Sequence, residues 1–164
     1  MGRVMSVDAA AEYREQLRAA GKTVVFTNGL FDLLHIGHLN YLERARALGD
    51  KLIVGLNSDA SSRALKGDAH PILPQEERGR LLAALKVVDV VVIFDDRTAS
   101  ALIRVLQPDI YVKGGDYALK NWPEREVALA LGCDVKLIPF LKGHSTSKLV
   151  ERILARFGNN GSAA

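Results

Sequence analysis

The stretch Thr27-Asn28-Gly29-Leu30-Phe31-Asp32-Leu33-Leu34-His35-Ile36-Gly37-His38 decides how the rest of this 164-residue chain is read. Val24-Val25-Phe26 precedes it, short and continuously apolar, as expected of a strand buried on both faces of a parallel sheet. Leu39, Leu42, Ala45 and Leu48 follow at near-helical spacing up to Gly49, a suitable residue just beyond a helix end. The stretch therefore reads as a strand-to-helix turn. His35 and His38 fall where the helix begins, beside free backbone N–H groups and the positive end of the helix dipole. Gly37 between them would let a ligand approach the backbone closely. Such a site favours a polyphosphate. One histidine here would read as an ordinary polar residue at a helix start; two, with a glycine between them and an apolar strand before them, point to a ligand. Zinc is not expected, because the spacing suits neither a metalloprotease helix nor a zinc finger, and the one cysteine, Cys133, is far along the chain. Asp32 reads as a turn residue bonding its own backbone.

Outward from this turn, strand and helix patterns alternate. Before it, Asp8 caps a predicted helix over 8–20 with Ala10, Tyr13, Leu17 and Ala20 along one face, expected to lie on a sheet edge or a partner. After it, Leu52 to Leu56 is a second buried-type strand, and the polar run from Ser61 to Pro74 reads as a mobile loop. Arg78, Leu81, Leu82 and Leu85 mark a helix starting near Pro74, and Val90 to Phe94 a third strand. A helical stripe through Leu102 and Leu106 closes at Pro108, and Ile110-Tyr111-Val112 is a fourth strand. Pro123 opens another helix that ends at Gly132, and Val135 to Ile138 is a fifth strand. A last helix is expected to bury Leu149, Val150, Ile153, Leu154 and Phe157, with a frayed tail over 158–164. The alternation predicts an α/β fold: a Rossmann-like, doubly wound, five-stranded parallel sheet with helices on both faces. One domain over 1–164 is expected, with a core from about residue 22 to 157. Ligands of such sheets sit beyond the carboxyl ends of the strands, where the strand order reverses. The histidine turn, the Lys113 loop and the Ser145 turn each follow a strand and so converge there.

Composition narrows the classes. Hydrophobic residues make up 48% and charged residues 25% of the chain, ordinary values for a globular protein with a real core. No apolar run approaches a membrane span, and the acidic N-terminal segment is unlike a signal peptide, so a cytoplasmic protein is expected. One cysteine fits a reducing compartment. The net charge of +3 is too small to argue for nucleic acid.

Three further segments carry charge or hydroxyls where chemistry could use them. Lys66, in Leu65-Lys66-Gly67-Asp68, reads equally as a solvated charge or as a lid residue that clamps phosphate. Arg78, in Glu76-Glu77-Arg78, reads from its neighbours as one half of a weak surface ion pair. Gly143-His144-Ser145-Thr146-Ser147-Lys148 opens the last helix, and its consecutive hydroxyls supply both a cap and an anion site.

Asn28-Gly29-Leu30-Phe31-Asp32 followed by His35-Ile36-Gly37-His38 resembles the signature of the nucleotidyltransferase family that includes glycerol-3-phosphate cytidylyltransferase. It is still more similar to the adenylyltransferase domain of bacterial ADP-heptose synthases, because Val112-Lys113-Gly114-Gly115-Asp116-Tyr117 is nearly the heptose-type sequence. The resemblance runs from about Thr23 to Phe157. It implies transfer of AMP from ATP to a heptose 1-phosphate, with Mg²⁺ accompanying the triphosphate and pyrophosphate leaving. The alternative is a CTP-dependent cytidylyltransferase for glycerol 3-phosphate or a related alcohol phosphate, from which the chain departs at Phe140 and Leu141, where that enzyme has Arg-Thr. The resemblance implies catalytic roles for His35, His38 and Lys66. It implies nucleotide contacts from Asn28, Gly29, Phe31, Gly37, Asp116, Ser145, Thr146 and Ser147. Arg78 and Lys113 would meet the sugar phosphate. The partners implied are ATP and a sugar phosphate, with no nucleic acid and no membrane, and a homodimer is compatible with them. Full-length relatives also carry a sugar kinase domain, for which 164 residues leave no room. A tRNA synthetase fragment would share the histidine turn but needs a tRNA-binding domain, and a nucleotide sensor would not need Lys66, Arg78 and Asp116 together.

Overall fold

The computed structural model describes residues 1–115 and 122–158. Strands and helices follow one another as β1 (Arg3–Met5), α1 (Val7–Ala19), β2 (Val24–Gly29), α2 (Ile36–Arg46), β3 (Lys51–Asn57), α3 (Asp59–Lys66) and α4 (Gln75–Ala84). Then come β4 (Val90–Phe94), α5 (Ser100–Leu106), β5 (Ile110–Gly114), α6 (Pro123–Ala130), β6 (Asp134–Ile138) and α7 (Thr146–Phe157). All strand pairs are parallel, in the order β1-β4-β3-β2-β5-β6. The sixth strand, β1, is a three-residue edge strand too short to leave a pattern in the sequence.

Strand side chains alternate between two apolar layers, as the pleat requires. Val24, Phe26, Ile53, Val90, Val92 and Tyr111 face α1, α5 and α6, whose Ala10, Leu17, Leu102, Leu106 and Ala128 join them. Val25, Leu52, Val54, Leu56, Val91 and Val112 face α2 and α4, with Leu42, Ala45 and Leu82. Helices thus cover both faces, and burial on both sides is why each strand reads as an unbroken apolar run. The order turns at β2, flanked by β3 on one side and β5 on the other, so the histidine turn leaves the sheet where its topology opens a crevice.

Two expectations fail for physical reasons. The polar run from Ser61 is half helix: α3 extends to Lys66, and only 67–74 is loop. Its serines face inward and are satisfied there. Ser58 Oγ caps the helix by accepting from the Ser61 N–H, Asn57 Nδ2 donates to Ser61 Oγ, and Ser61 Oγ donates to the Asp96 carbonyl. The last helix buries none of its residues; Ile153, Leu154 and Phe157 are 44%, 62% and 68% exposed, because α2 and α4 already occupy the adjoining face of the sheet.

One buried cation ties these segments together. Arg78, in the first turns of α4, is wholly buried, and its guanidinium donates to the carbonyls of Leu73 (2.9 Å), Leu30 (2.6 Å) and Asn57 (3.0 Å). It also pairs with the Asp59 carboxylate at 2.7 Å. A single planar fork therefore joins the β2–α2 turn, the end of β3, the start of α3 and the approach to α4. Arg78→Met keeps most of the volume but leaves a carboxylate and three carbonyls without their donor. We expect it to lower folding stability by about 3–5 kcal/mol, read as a drop in the urea midpoint at unchanged slope.

Candidate active site

The turn after β2 is held in a conformation that needs support. Phe31 and Leu33 both adopt left-handed backbone angles, φ 47° and 48°, unfavourable for residues with side chains. Gly29 leaves room for the first of them, since a Cβ there would lie 3.1 Å from the Phe31 ring and crowd it. Three external contacts fix the turn. Arg78 takes the Leu30 carbonyl, as above. The Asp32 carboxylate accepts the N–H groups of Ile72 (2.6 Å) and Leu73 (3.0 Å), and Thr146 Oγ1 donates to the Asp32 carbonyl at 3.0 Å. Asp32 is thus not bonded to its own turn; it ties the 67–74 loop to the turn, while its carbonyl receives the start of α7.

The two histidines are arranged by the same helix start. His35 is the N-cap of α2, and its Nδ1 accepts the Gly37 N–H at 3.1 Å. His38 Nδ1 accepts the His35 N–H at 3.4 Å. The rings stack with centroids 3.9 Å apart, and His38 also packs against Phe31. Burial and, after it, the neighbouring His35 bring the His38 imidazole down to about 4, with Asp32 opposing. Burial, then His144, lowers His35. Both rings are therefore neutral at neutral pH. Because each Nδ1 accepts a hydrogen bond, the ring proton is assigned to Nε2, the donor left for a ligand. The two histidines are thus a pair of preorganised neutral donors. Gly37 serves this arrangement directly: a Cβ would lie 2.8 Å from His35 Cε1 and 3.2 Å from His144 Cβ, so the glycine admits these side chains before any ligand.

A crevice of about 960 Å³ opens over the turn. It brings together Asn28, Gly29, Phe31, His35, Gly37, His38, Lys66, Lys113, Ser145, Thr146 and Ser147. Lys66 reaches it as the last residue of α3, from a helix end and not from a loop. Lys113, on β5, is held below the usual lysine range by burial, with Glu124 pulling the other way. Asn28 Oδ1 accepts from the Tyr111 hydroxyl at 2.8 Å, which turns the amide nitrogen of Asn28 free as a donor. Ser145 caps α7 by accepting the Lys148 N–H, so this helix start faces that of α2 across the crevice. Arg78, expected to meet phosphate or substrate, lies outside it, its guanidinium engaged below the turn. Asp116 lies outside the described residues.

Two residues of the crevice region, Tyr111 and His144, escaped the sequence reading, and Phe140 stands out there only as a departure from the cytidylyltransferase pattern. Tyr111 positions Asn28 but reads as a buried strand residue. Phe140 is 66% exposed at the mouth, its ring so close to Gly114 that a Cβ there would lie 2.5 Å away. His144 stands beside Gly37; its one signal is its place just before the cap of α7. Two facing helix starts, two neutral imidazole donors and two lysines suit a chain of phosphates, whose transfer needs positioning and charge stabilisation more than a protein nucleophile.

The cytidylyltransferase-like family model matches residues 26–152. The chain is 49% identical over 156 residues to the bifunctional protein HldE of Geobacter sulfurreducens, covering 95% of this chain and 32% of that protein. It is 51% identical over 151 residues to the protein of the same name from Wolinella succinogenes, covering 92% and 31%. The chain thus spans about a third of the length of these curated relatives. The crystal structure of the lipopolysaccharide core biosynthesis protein from Thermoplasma volcanium superposes with a TM-score of 0.61 at 31% identity, over 76% of this chain and all of that one.

The buried neutral His38 has a consequence for stability. The unfolded chain takes up a proton on this residue below its ordinary value of 6.5, while the folded protein resists until about 4. Stability should therefore fall as pH drops through that window, by on the order of 3 kcal/mol in total. His38→Asn should flatten this part of the profile, measured as urea-unfolding free energy across the window for both proteins.

Proposed function

The chain belongs to the cytidylyltransferase-like family, and we propose that it transfers AMP from ATP to a heptose 1-phosphate, with release of pyrophosphate. The observation that carries the reading is the stacked pair His35–His38, whose Nε2–H donors meet the start of α7 across the crevice. In this reaction an oxygen of the sugar 1-phosphate attacks the α-phosphorus of ATP. The new P–O bond forms as the bond from the α-phosphorus to the bridging oxygen breaks, and that oxygen leaves with pyrophosphate. His35 and His38 donate to α- and β-phosphate oxygens, where negative charge accumulates. Ser145, Thr146 and Ser147 receive the outer phosphates at the α7 start. Lys66 neutralises charge from the α3 side and Lys113 holds the acceptor phosphate near the end of β5. Partial burial leaves the Lys113 ammonium poorly hydrated before substrate arrives, so a phosphate beside it replaces missing solvation.

The acceptor and the base are read from the β5 end. The heptose-type run from Val112 to Tyr117 and the similarity to two HldE proteins support ADP-heptose synthesis. Asp116, within that run, is proposed to bond the ribose or the base edge. Among the described residues no group of three or more His, Cys, Asp and Glu side chains is placed to hold a metal, and Asp32 has both carboxylate oxygens engaged by loop N–H groups. We propose that Mg²⁺ arrives as part of the ATP complex, held by phosphates and water. No helix among the described residues is long and apolar enough to cross a membrane. The need for ATP and the single buried Cys133 support a cytoplasmic setting.

Two measurements test the reading. His35→Ala and His38→Ala should each retain the fold and lose about 30- to 1,000-fold in turnover, the equivalent of about 2–4 kcal/mol of transition-state stabilisation. Near-normal turnover in both would refute the phosphate role. With heptose 1-phosphate as acceptor and limiting nucleotide, ATP should support pyrophosphate release at least about tenfold faster than CTP; parity between them would move the assignment to a cytidylyltransferase.

A further inference from the structure

His144 lies outside both histidine positions of the turn, yet the fold brings it to them. Thr146 Oγ1, bonded to the Asp32 carbonyl at 3.0 Å, pins the α7 start against the turn. The residue two positions earlier is then set beside the α2 start, and His144 Cβ lies 3.2 Å from where a Gly37 Cβ would stand. Its side chain is exposed and lines the same crevice as His35 and His38. The packing geometry gives it no structural task that explains an imidazole: the α7 cap is made by Ser145 and the link to the turn by Thr146. It is also close enough to His35 for a charge on one to disfavour a charge on the other.

We propose that His144 is a third phosphate-binding imidazole, which closes the His35–His38 pair from the α7 side and grips the pyrophosphate portion of the nucleotide. The proposal rests on the nucleotidyltransferase reading and deepens it. His35 and His38 use Nδ1 as acceptors of backbone N–H and so stay neutral donors, whereas a polyphosphate beside the exposed His144 ring favours its protonation. Binding should therefore draw a proton onto His144. The groups that face it set this balance: His35 and His38 on α2, Asp32 on the turn, Lys142 and Lys148 around the α7 start with Glu151 one turn on. Across the crevice stand Lys66, His70 and Lys113. The cations other than histidine already attract phosphate across the neutral range, so the pH-dependent part that the test reads is the share lost with His144.

The test is calorimetric binding of inorganic pyrophosphate, and of ATP with Mg²⁺, to the whole chain without acceptor. It is run near pH 6 and near pH 8, in two buffers of different ionisation enthalpy, so that proton uptake is read with affinity. His144→Ala should weaken pyrophosphate binding about tenfold near pH 6, and less near pH 8, with reduced proton uptake relative to the unsubstituted protein. His144→Gln, which keeps a side-chain donor, should recover part of the affinity and none of the proton uptake. Unchanged affinity and uptake in both variants would overturn the proposal. So would an equal loss at both pH values with unchanged uptake, which assigns His144 to packing. Failure of the unsubstituted protein to bind either ligand would overturn the nucleotidyltransferase reading with it, whereas failure of heptose phosphates as acceptors would leave His144 where the binding data put it.

Discussion

The buried guanidinium of Arg78 is the constraint on which the site depends. A turn that places Phe31 and Leu33 in left-handed conformations is not self-supporting, since each such residue costs about 1–3 kcal/mol against relaxed alternatives. It persists because its polar groups are claimed from outside: the Leu30 carbonyl by Arg78, the Asp32 carboxylate by two loop N–H groups and the Asp32 carbonyl by Thr146. Arg78 could not do this from the surface. In water the fork would exchange freely with solvent, whereas in the interior each unmade bond carries a desolvation penalty, so the four partners hold one geometry. The first link of the proposed function is therefore a stability interaction, with the geometry of the candidate site inherited from it.

That geometry explains why neutral histidines suit the site. A cationic pair stacked at 3.9 Å would repel itself and the positive helix end, and would have to be stabilised by counter-charges that then compete with phosphate. Neutral rings avoid this. Each Nδ1 is anchored to backbone N–H, which fixes the tautomer and the direction of Nε2–H before substrate arrives, so little reorganisation is needed when charge develops. The arrangement depends on Gly37 having no side chain, because the His35 ring occupies the space a Cβ would take.

Much of this was legible in the sequence because it is written in local pattern. Strands buried on both faces leave apolar runs, and the β2–α2 turn leaves its histidines and glycine in one short window. What escaped is written in tertiary pairing. The serines of α3 look like loop chemistry because their inward bonds, to Asn57 and the Asp96 carbonyl, come from elsewhere in the chain. Arg78 looks like a surface charge flanked by two glutamates, yet its partners Leu30, Asn57 and Asp59 lie on three other segments. The stripe on α7 has the right period for burial, but periodicity cannot tell whether the face it needs is already taken by α2 and α4. Asp116 and the tail from residue 159 lie outside the described residues.

In the proposed reaction, chemistry and discrimination fall to neighbouring strands, and this division follows from the topology. The proposed phosphate donors stand on the turn after β2, locked by Arg78 and Asp32. The wall that can distinguish bases or acceptors is built from the end of β5 and the segment after β6, where Gly114 leaves room for the Phe140 ring and Lys113 is half-buried beside it. The two strands pair over Val25 to Thr27, so the walls share a rigid base, yet the bonds to Leu30 and Asp32 that hold the turn come from Arg78, the 67–74 loop and Thr146, while Tyr111 of β5 reaches Asn28 at the end of β2. A change at Gly114 or Phe140 can therefore reshape the pocket without loosening the histidines. A change at Arg78 or Asp32 cannot leave the histidines untouched whatever it does to the pocket, because their positions are set by the turn those two residues hold.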